Sequence, residues 1–324
     1  MFMGNTDYSK AYMSGYGEPR GRTAYAKAHA KINLTLEVGR ARGDGYHTVS
    51  MIMQSLRLWD DVEIELLKDG ENRVECNIPF LKADTRNLAY RAVLLMEERF
   101  GLKQPVFMQI RKKIPIASGL AGGSADATAA LRAMNKLFSL RLSTDELMKI
   151  GAEIGSDVPF CLLGGTALAT GRGEIVTPLR AFPMTCVILV KPDFSVSTPW
   201  AYQQFDLEGP QPAPDVDRFL KAVESRRIES LQPEMINMLE RPVSREHPEI
   251  PEIKGRLLAL GADAASMSGS GPTVYGLFRD GDAARAALME LRRVYPRRYT
   301  ILMTNTENPR YQQRDPWLAP DTGA

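Results

Sequence analysis

The segment Ile114–Leu137 has the composition of a loop that holds an anion with its backbone. Its first half, IPIASGLAGGSADA, places three glycines among alanines and serines, and a helix is expected over Ala127–Leu137. Glycines let another group approach the main chain, and free N–H groups at a helix N-terminus favour an anion. We therefore predict a phosphate site. It matches neither a Walker A loop nor a Rossmann loop, and a helix entry shaped only for packing is the alternative.

Two polar residues, Lys31 and Asn33, project from the same side of an expected strand. Apolar and polar residues alternate over Ala30–Val38, so one face is buried and the other carries Lys31 and Asn33. Most such pairs are solvated surface residues. This pair acquires a chemical role only if its face of the strand lines a cleft.

An acidic residue, Asp157, stands between a helix expected to end at Gly155 and the apolar run that follows. An aspartate at such a position is often an N-cap or a turn former. The alternative is a catalytic role, in which the carboxylate is held close to a substrate hydroxyl.

The turn Arg40–His47, RARGDGYH, presents Tyr46 and His47 side by side. A nucleobase can stack on the tyrosine ring, and an imidazole can hydrogen-bond a base edge or a phosphate. Trp200 and Tyr202 offer further stacking surfaces in KPDFSVSTPWAY, which we expect to be a strand end followed by a loop. The alternative is that all four are ordinary loop residues.

A second loop of small residues, Met267–Thr273 (MSGSGPT), precedes a strand expected over Val274–Phe278. Two such loops, each beside a regular element, favour a shared ligand that the backbone approaches closely. Lys112 and Lys113 precede the first loop and could steer a nucleotide, although a solvated basic turn is the default.

Composition excludes several classes of protein. The chain has 324 residues, of which 44% are hydrophobic and 25% charged, values typical of a globular protein. A formal net charge of +2 gives no case for a nucleic-acid or membrane-surface protein. The three cysteines, Cys76, Cys161 and Cys186, are widely spaced and indicate neither a zinc site nor a disulfide framework. We expect a cytoplasmic protein without a secretory signal or membrane span.

The chain divides into two expected domains with a tail at each end. We place the tails at residues 1–22 and 305–324 and the domains at residues 23–183 and 184–304. Val49–Leu58 is expected to continue as helix or strand. Further strands are expected over Asp61–Leu67, Val106–Ile110, Val187–Val190 and Tyr299–Met303. Helices are expected over Asn87–Phe100, Val216–Val223, Ile253–Leu260 and Ala283–Leu291. Another helix is expected to follow a capping box at Ser143 and Glu146.

Three motifs together resemble the GHMP kinase superfamily: the strand that carries Lys31, the loop IPIASGLAGGSADA and the loop MSGSGPT. Within it, AKINLTLEVGRARGDGYH at Ala30–His47 and IGSDVPFCLLGG at Ile154–Gly165 resemble members that phosphorylate a cytidine diphosphate sugar alcohol of the non-mevalonate isoprenoid pathway. The resemblance implies a two-domain α/β (α+β) GHMP kinase fold, with mixed sheets, helices packed on them and an active-site cleft between the domains.

The resemblance also implies a mechanism with ATP and Mg²⁺. Asp157 would orient the acceptor hydroxyl and take its proton, while Lys31 would bridge Asp157 and the transferring phosphoryl group. Magnesium would lie between the phosphates, mostly ligated by water, so no protein metal ligand is assigned. The partners would be small molecules, with no nucleic acid and no membrane, and the chain a monomer or weak homodimer.

The resemblance assigns the binding residues in three groups. Tyr46 and Tyr202 would clamp the cytosine, His47 would bind the cytidine edge, and Asn33 and Thr198 would help hold the substrate. The ATP-binding residues would be Lys112, near the adenine, and the loop residues Pro115, Ile116, Ala117, Ser118, Gly119, Leu120, Ala121, Gly122, Gly123 and Ser124. The late glycine motif comprises Ser268, Gly269, Ser270 and Gly271.

The phosphate loop departs from the superfamily's common GLGGGSSD at two positions. Ala121 replaces the middle glycine, so its backbone must avoid positive φ or the loop is strained. Ala125 replaces the second serine, which removes one possible contact with phosphate or metal.

Two other functions remain open. The first is a GHMP kinase of another specificity, such as homoserine or mevalonate kinase; Tyr46, His47 and Tyr202 argue against it because those acceptors have no base to stack. The second is a nucleotide-binding regulator without catalysis. Such a regulator would be expected to lack Lys31 or Asp157, and both are present.

Overall fold

The computed structural model describes residues 22–78, 84–209, 211–225 and 228–308. The expected N-terminal tail, apart from Arg22, and the C-terminal tail from residue 309 lie outside these ranges. Residues 305–308 are described, and the backbone N–H of Glu307 donates to the carbonyl of Ser55. The chain therefore stays attached to the first sheet beyond residue 304.

The first sheet is built on a long antiparallel hairpin. Its strands are β1 (Thr23–Ala41), β2 (His47–Leu66), β3 (Arg73–Cys76), β4 (Val106–Arg111), β5 (Thr166–Thr170) and β6 (Ile175–Pro178). Their order is β3-β4-β2-β5-β6, with β1 paired to β2. Only β3 and β4 pair in parallel, so the sheet is mixed. The separate predictions for Val49–Leu58 and Asp61–Leu67 fall on the single strand β2.

Among the described residues, four helices accompany this sheet: α1 (Leu88–Phe100), α2 (Gly122–Leu137), α3 (Thr144–Ile154) and α4 (Val158–Leu163). Helix α2 packs between α1 and the hairpin, and its many alanines let it be buried on nearly every side. Helix α3 begins with the predicted capping box of Ser143 and Glu146 and ends at Gly155. Because α2 starts at Gly122 rather than Ala127, the predicted phosphate loop runs directly into its first turn.

The second sheet is antiparallel, in the order β10-β7-β9-β8. Its strands are β7 (Cys186–Lys191), β8 (Ala264–Met267), β9 (Val274–Phe278) and β10 (Thr300–Asn305). The accompanying helices are α5 (Thr198–Asp206), α6 (Val216–Glu224), α7 (Glu240–Glu246), α8 (Glu249–Ala259) and α9 (Gly281–Val294), with a 3₁₀ turn at Ile228–Ser230. Helix α5 occupies part of the segment expected to be a loop, which corrects that prediction.

Two isolated backbone bridges and a side-chain hydrogen bond join the first sheet to the second part of the chain. Leu36 of β1 bridges to Asn237, and Leu56 of β2 bridges to Thr306. The Tyr275 hydroxyl of β9 donates to the carbonyl of Asn33 at 2.8 Å. Since Tyr275 is fully buried, this bond fixes the second sheet against the strand that carries Lys31.

Candidate active site

A cavity of about 890 Å³ lies where the two sheets meet, and it gathers most of the residues singled out in the sequence. Those that line it are Lys31, Asn33, Tyr46, His47, Lys112, Pro115, Ile116, Ala117, Ser118, Gly119, Ala121, Gly122, Gly123, Ser124, Asp157, Thr198, Tyr202, Gly269, Ser270 and Gly271. Two predicted residues, Leu120 and Ser268, are fully buried and support the wall from behind.

The first glycine loop ends in an exposed helix N-terminus. The first i→i−4 bond of α2 runs from the N–H of Ala125 to the carbonyl of Ala121, so the amides of Gly122, Gly123 and Ser124 precede the helical ladder. All three residues line the cavity. Unpaired amides at the positive end of a helix of 16 residues form an anion site.

The two glycine loops are locked together at Gly119. Its carbonyl accepts hydrogen bonds from the Ser268 hydroxyl and the Lys31 ammonium, each at 3.0 Å. Gly119 has φ +75°, and a Cβ there would lie 2.1 Å from the carbonyl oxygen of Ser268. A glycine is therefore required, and the second loop serves partly to brace the first.

Polar groups on three sides hold the Lys31 ammonium in the cavity. Its side chain is 4% exposed, and its ammonium donates to Asn33 Oδ1 at 2.6 Å and stands 3.7 Å from Asp157 Oδ2. The polar face of β1 therefore lines a cleft and is not solvated. The Asn33 side chain therefore accepts from Lys31 through Oδ1, and its Nδ2 donates to Met51 Sδ at 3.1 Å.

Asp157 stands at the N-cap position of α4, but its carboxylate does not cap the helix. The carboxylate instead lines the cavity beside Lys31, 29% exposed. Its charge is also felt by Tyr202, whose pKa burial and Asp157 together raise to about 12. The structure thus brings together the acid, the lysine and one of the aromatic rings predicted separately from the sequence.

Lys112 lines the cavity, where it was expected to lie near the adenine, yet its ammonium is buried between two carboxylates. The amine donates to Asp60 at 2.5 Å and to Asp126 at 2.7 Å. Burial raises the pKa of Asp126 to about 8, and the neighbouring Asp60 charge contributes, while Lys112 opposes it. Burial lowers the pKa of Lys112, but the two carboxylates outweigh it and the net direction is upward. This cluster braces β2, β4 and α2 beneath the loop.

The aromatic end of the cavity is built from the β1–β2 turn and helix α5. The His47 ring stacks on Tyr202, with ring centroids 5.1 Å apart and planes at 27°. Tyr46 is 50% exposed, and Arg172 Cζ lies 5.4 Å from the centre of its ring. Thr198 joins α5 to the second glycine loop through a 2.9 Å hydrogen bond to the Ser270 hydroxyl.

Arg172 and Asp206 line the cavity without having been predicted from the sequence. Asp206 could have been found, because Ser197 followed by Pro199 is a helix-start signal and places Tyr202 and Asp206 on one helical face. Arg172 follows Gly171, which has φ +73° in the β5–β6 turn, and no local pattern in the sequence indicates its position.

The backbone of Ala121 lies in the left-handed region, with φ 57° and ψ 29°. This is the positive φ at which the sequence analysis expects an alanine to strain the loop.

We expect Ala121→Gly to leave the free energy of unfolding unchanged or raise it by up to about 1 kcal/mol, because relief of about 1–2 kcal/mol of left-handed strain offsets the added freedom of the unfolded chain. Urea unfolding measures this. The matched control is Ala286→Gly, at an exposed position of α9, which should lower the free energy of unfolding by about 1 kcal/mol. An equal loss at both positions would contradict strain at Ala121.

Within the described residues, no group of three or more His, Cys, Asp or Glu side chains is arranged to hold a metal ion. Among the helices that the structure describes, none has the length and apolar character needed to cross a membrane.

Two family models match the chain. The model of the GHMP kinases N terminal domain matches residues 87–165, which include the first glycine loop and Asp157. The model described as GHMP kinases C terminal matches residues 219–297, which include the second glycine loop. The superfamily inferred from the motifs is confirmed.

Curated relatives extend the match over nearly the whole chain. The 4-diphosphocytidyl-2-C-methyl-D-erythritol kinase of Bacillus subtilis is 44% identical over 282 residues, which span 87% of this chain and 97% of the relative. The enzyme of the same name from Brevibacillus brevis is 49% identical over 252 residues, or 78% of this chain and 86% of the relative.

Solved structures agree with these relatives. A crystal structure of a 4-(cytidine 5'-diphospho)-2C-methyl-D-erythritol kinase matches with a TM-score of 0.73 at 34% identity, covering 88% of this chain and 100% of that one. The crystal structure of a homoserine kinase from Cytophaga hutchinsonii matches with a TM-score of 0.71 at 19% identity, covering 90% of this chain and 98% of that one. At this identity the likeness is one of fold alone. The predicted GHMP kinase fold is confirmed, and the chain belongs to the 4-diphosphocytidyl-2-C-methyl-D-erythritol kinase family of the GHMP kinases.

Proposed function

We propose that this protein transfers the γ-phosphoryl group of ATP to the 2-hydroxyl of 4-diphosphocytidyl-2-C-methyl-D-erythritol, a step of the non-mevalonate isoprenoid pathway. One observation carries the proposal. The Lys31–Asp157 pair, with Nζ 3.7 Å from Oδ2, shares a cavity with the exposed N-terminus of α2 and with the His47–Tyr202 stack. These are the parts needed for a phosphate donor, an acceptor hydroxyl and a base.

The phosphates of ATP would be held by the backbone. Residues 118–124 approach the cavity with little side-chain bulk, and the amides of Gly122, Gly123 and Ser124 point away from the helical ladder. Backbone donors of this kind are fixed before the substrate arrives, so they need no reorganisation as charge develops. The hydrogen bonds from Ser268 and Lys31 to Gly119 keep the loop in this shape.

The chemical step would rest on Asp157 and Lys31. Asp157 accepts the proton of the acceptor hydroxyl while the hydroxyl oxygen attacks the γ-phosphorus. The bond from that phosphorus to the β–γ bridging oxygen breaks, and ADP leaves. Lys31 lies 3.7 Å from the Asp157 carboxylate and faces the charge that gathers on the transferred group. Phosphoryl transfer depends mainly on positioning and electrostatic stabilisation, which one lysine and one aspartate supply.

Magnesium is part of the proposal. The oxygen-bearing side chains that line the cavity beside the glycine loop include the Ser124 hydroxyl and the carboxylates of Asp126 and Asp157, and oxygen atoms suit a hard cation held mainly by phosphate oxygens and water. Ser124 is the residue of the loop that would meet it. When bound, Mg²⁺ would neutralise charge on the phosphates.

The substrate's base would lie at the aromatic end of the cavity. Tyr46 and Tyr202 provide ring faces there, and His47 supplies a hydrogen-bonding edge. Homoserine and mevalonate have no base to occupy this end, so its construction favours the cytidine substrate over theirs.

The proposed function is tested by ADP release from Mg-ATP with 4-diphosphocytidyl-2-C-methyl-D-erythritol, run beside homoserine and mevalonate. Asp157→Asn serves as the blank. Turnover with the cytidine substrate alone supports the proposal. Turnover with another alcohol would keep the kinase and reject the base site, and ATP binding without any turnover would favour a regulator.

We expect Tyr46→Ala to raise KM for the cytidine substrate about tenfold or more, because stacking of a base on an aromatic ring contributes about 1–3 kcal/mol. Steady-state kinetics at saturating ATP measures it. Tyr46→Phe is the matched control, since it keeps the ring and should keep KM within about twofold. If the alanine variant kept the wild-type KM, the base would have to bind elsewhere.

Assembly and location also belong to the proposal. We infer a monomer or weak homodimer that needs no nucleic-acid partner. A cytoplasmic location is supported by its three cysteines, none of which is in a disulfide in the described structure.

A further inference from the structure

Asp206, the last residue of α5, contacts the histidine of the base site. Its Oδ1 lies 2.8 Å from His47 Nε2, and the two side chains differ sharply in exposure, 49% for Asp206 and 9% for His47. The imidazole is largely removed from solvent, so it depends on neighbouring groups for its hydrogen bonds.

Helix α5 holds the His47 ring from three sides. Tyr202 stacks beneath it, Phe205 meets it edge-on with planes at 88° and centroids 6.4 Å apart, and Asp206 accepts from its Nε2 edge. These residues stand at spacings of three and four along the helix and so lie on one face. The ring can neither flip nor slide without breaking a contact, so its orientation is set by α5.

The hydrogen bond decides which ring nitrogen carries the proton. An ionised carboxylate only accepts hydrogen bonds, so Nε2 must be the protonated nitrogen. A neutral imidazole then has a lone pair on Nδ1, which becomes an acceptor. We infer that Asp206 is a positioning residue that makes His47 an acceptor of hydrogen bonds and thereby selects cytosine over uracil.

The selectivity follows from the edges of the two bases. Cytosine presents an amino group at its 4-position, a donor that Nδ1 can accept, whereas uracil presents a carbonyl oxygen there. A uracil would place two acceptors face to face, and an unpaired buried polar group is costly. This inference rests on the proposed function, because it assumes that the base of the substrate lies against His47.

The experiment measures dissociation constants of CDP and UDP by calorimetry on the full chain, for the wild type, Asp206→Asn and Asp206→Ala. The exposed Asp69→Asn gives the same charge change away from the site. We expect the wild type and the Asp69 variant to prefer CDP by about tenfold or more, the effect of one well-made hydrogen bond. Both Asp206 variants should reduce this preference to within about threefold.

Nitrogen NMR of His47 gives a second measurement that needs no variant at position 206. The chain has three histidines, so one spectrum of His47→Gln assigns the signal. We expect a protonated Nε2 and an unprotonated Nδ1 at neutral pH. A protonated Nδ1, or wild-type CDP preference in both Asp206 variants, overturns the inference even if the kinase is active. A wild type that neither binds CDP nor turns over the cytidine substrate overturns the proposed function as well.

Discussion

Replacing Asp157 with Asn should lower kcat about a thousandfold and leave the dissociation constant of ATP within about twofold. A positioned general base contributes about 10²–10⁴-fold to a rate, and an amide of the same shape cannot accept the proton. The carboxylate makes no capping hydrogen bond to α4, so the change costs the helix little. Since the role lies in the transition state, the loss should fall on kcat and kcat/KM equally.

Two measurements separate this loss from a structural one. Thermal unfolding of Asp157→Asn should match the wild type within a few degrees, and fluorescence titration should return the wild-type affinity for ATP. Asp69→Asn, at an exposed position that does not line the cavity, is the matched control and should keep full activity. A loss smaller than about tenfold would mean that the hydroxyl is deprotonated without Asp157, and weaker ATP binding in step with turnover would point to a collapsed site.

The parts of the site that the sequence predicted are those encoded locally. The loop of glycines before α2, the alternation that places Lys31 and Asn33 on one face of β1, and the capping box of α3 all depend on residues a few positions apart. Their physical causes, backbone freedom, strand periodicity and side-chain capping, act within a single element. The resemblance to GHMP kinases then supplied roles that spacing could not.

The parts that the sequence left open depend on contacts between distant residues. Asp60 and Asp61 interrupt the apolar pattern and divide the prediction for β2, yet Asp60 is fully buried because Lys112 and the N–H of Ile114 satisfy its oxygens. The same contact removes the Lys112 ammonium from solvent. Nothing within a few residues of either position indicates this pairing, since the partners lie more than 50 positions apart.

A similar limit applies to the base site. His47 begins β2, and the residues that hold it belong to α5, which follows the first strand of the second sheet. The sequence analysis predicts a loop where this helix begins, although a proline such as Pro199 is compatible with the first turn of a helix. Recognising that start would have placed Tyr202 and Asp206 together, but not against His47.

Replacing Lys31 with Met should lower kcat about 10²–10³-fold, the loss typical of removing one preorganised donor from a charge that develops in the transition state. The ammonium contacts Asn33 Oδ1, the carbonyl of Gly119 and, at 3.7 Å, Asp157. Methionine keeps the length and apolar stem but leaves the buried Asn33 oxygen unpaired, so the free energy of unfolding should also fall by about 1–3 kcal/mol. Steady-state kinetics and urea unfolding measure the two effects, and Lys149→Met on the exposed side of α3 is the control.

The double variant distinguishes a shared role from two separate ones. If Lys31 and Asp157 act as one unit on the same transferred group, Lys31→Met should cost little more when Asp157→Asn is already present, because residues that act as a unit are strongly non-additive. Losses that simply multiply would instead show that the lysine stabilises the phosphates independently of the base. The short link from Lys31 to Gly119 and its contact with Asp157 favour the first outcome, since one ammonium then couples the position of the phosphate loop to the charge of the acid.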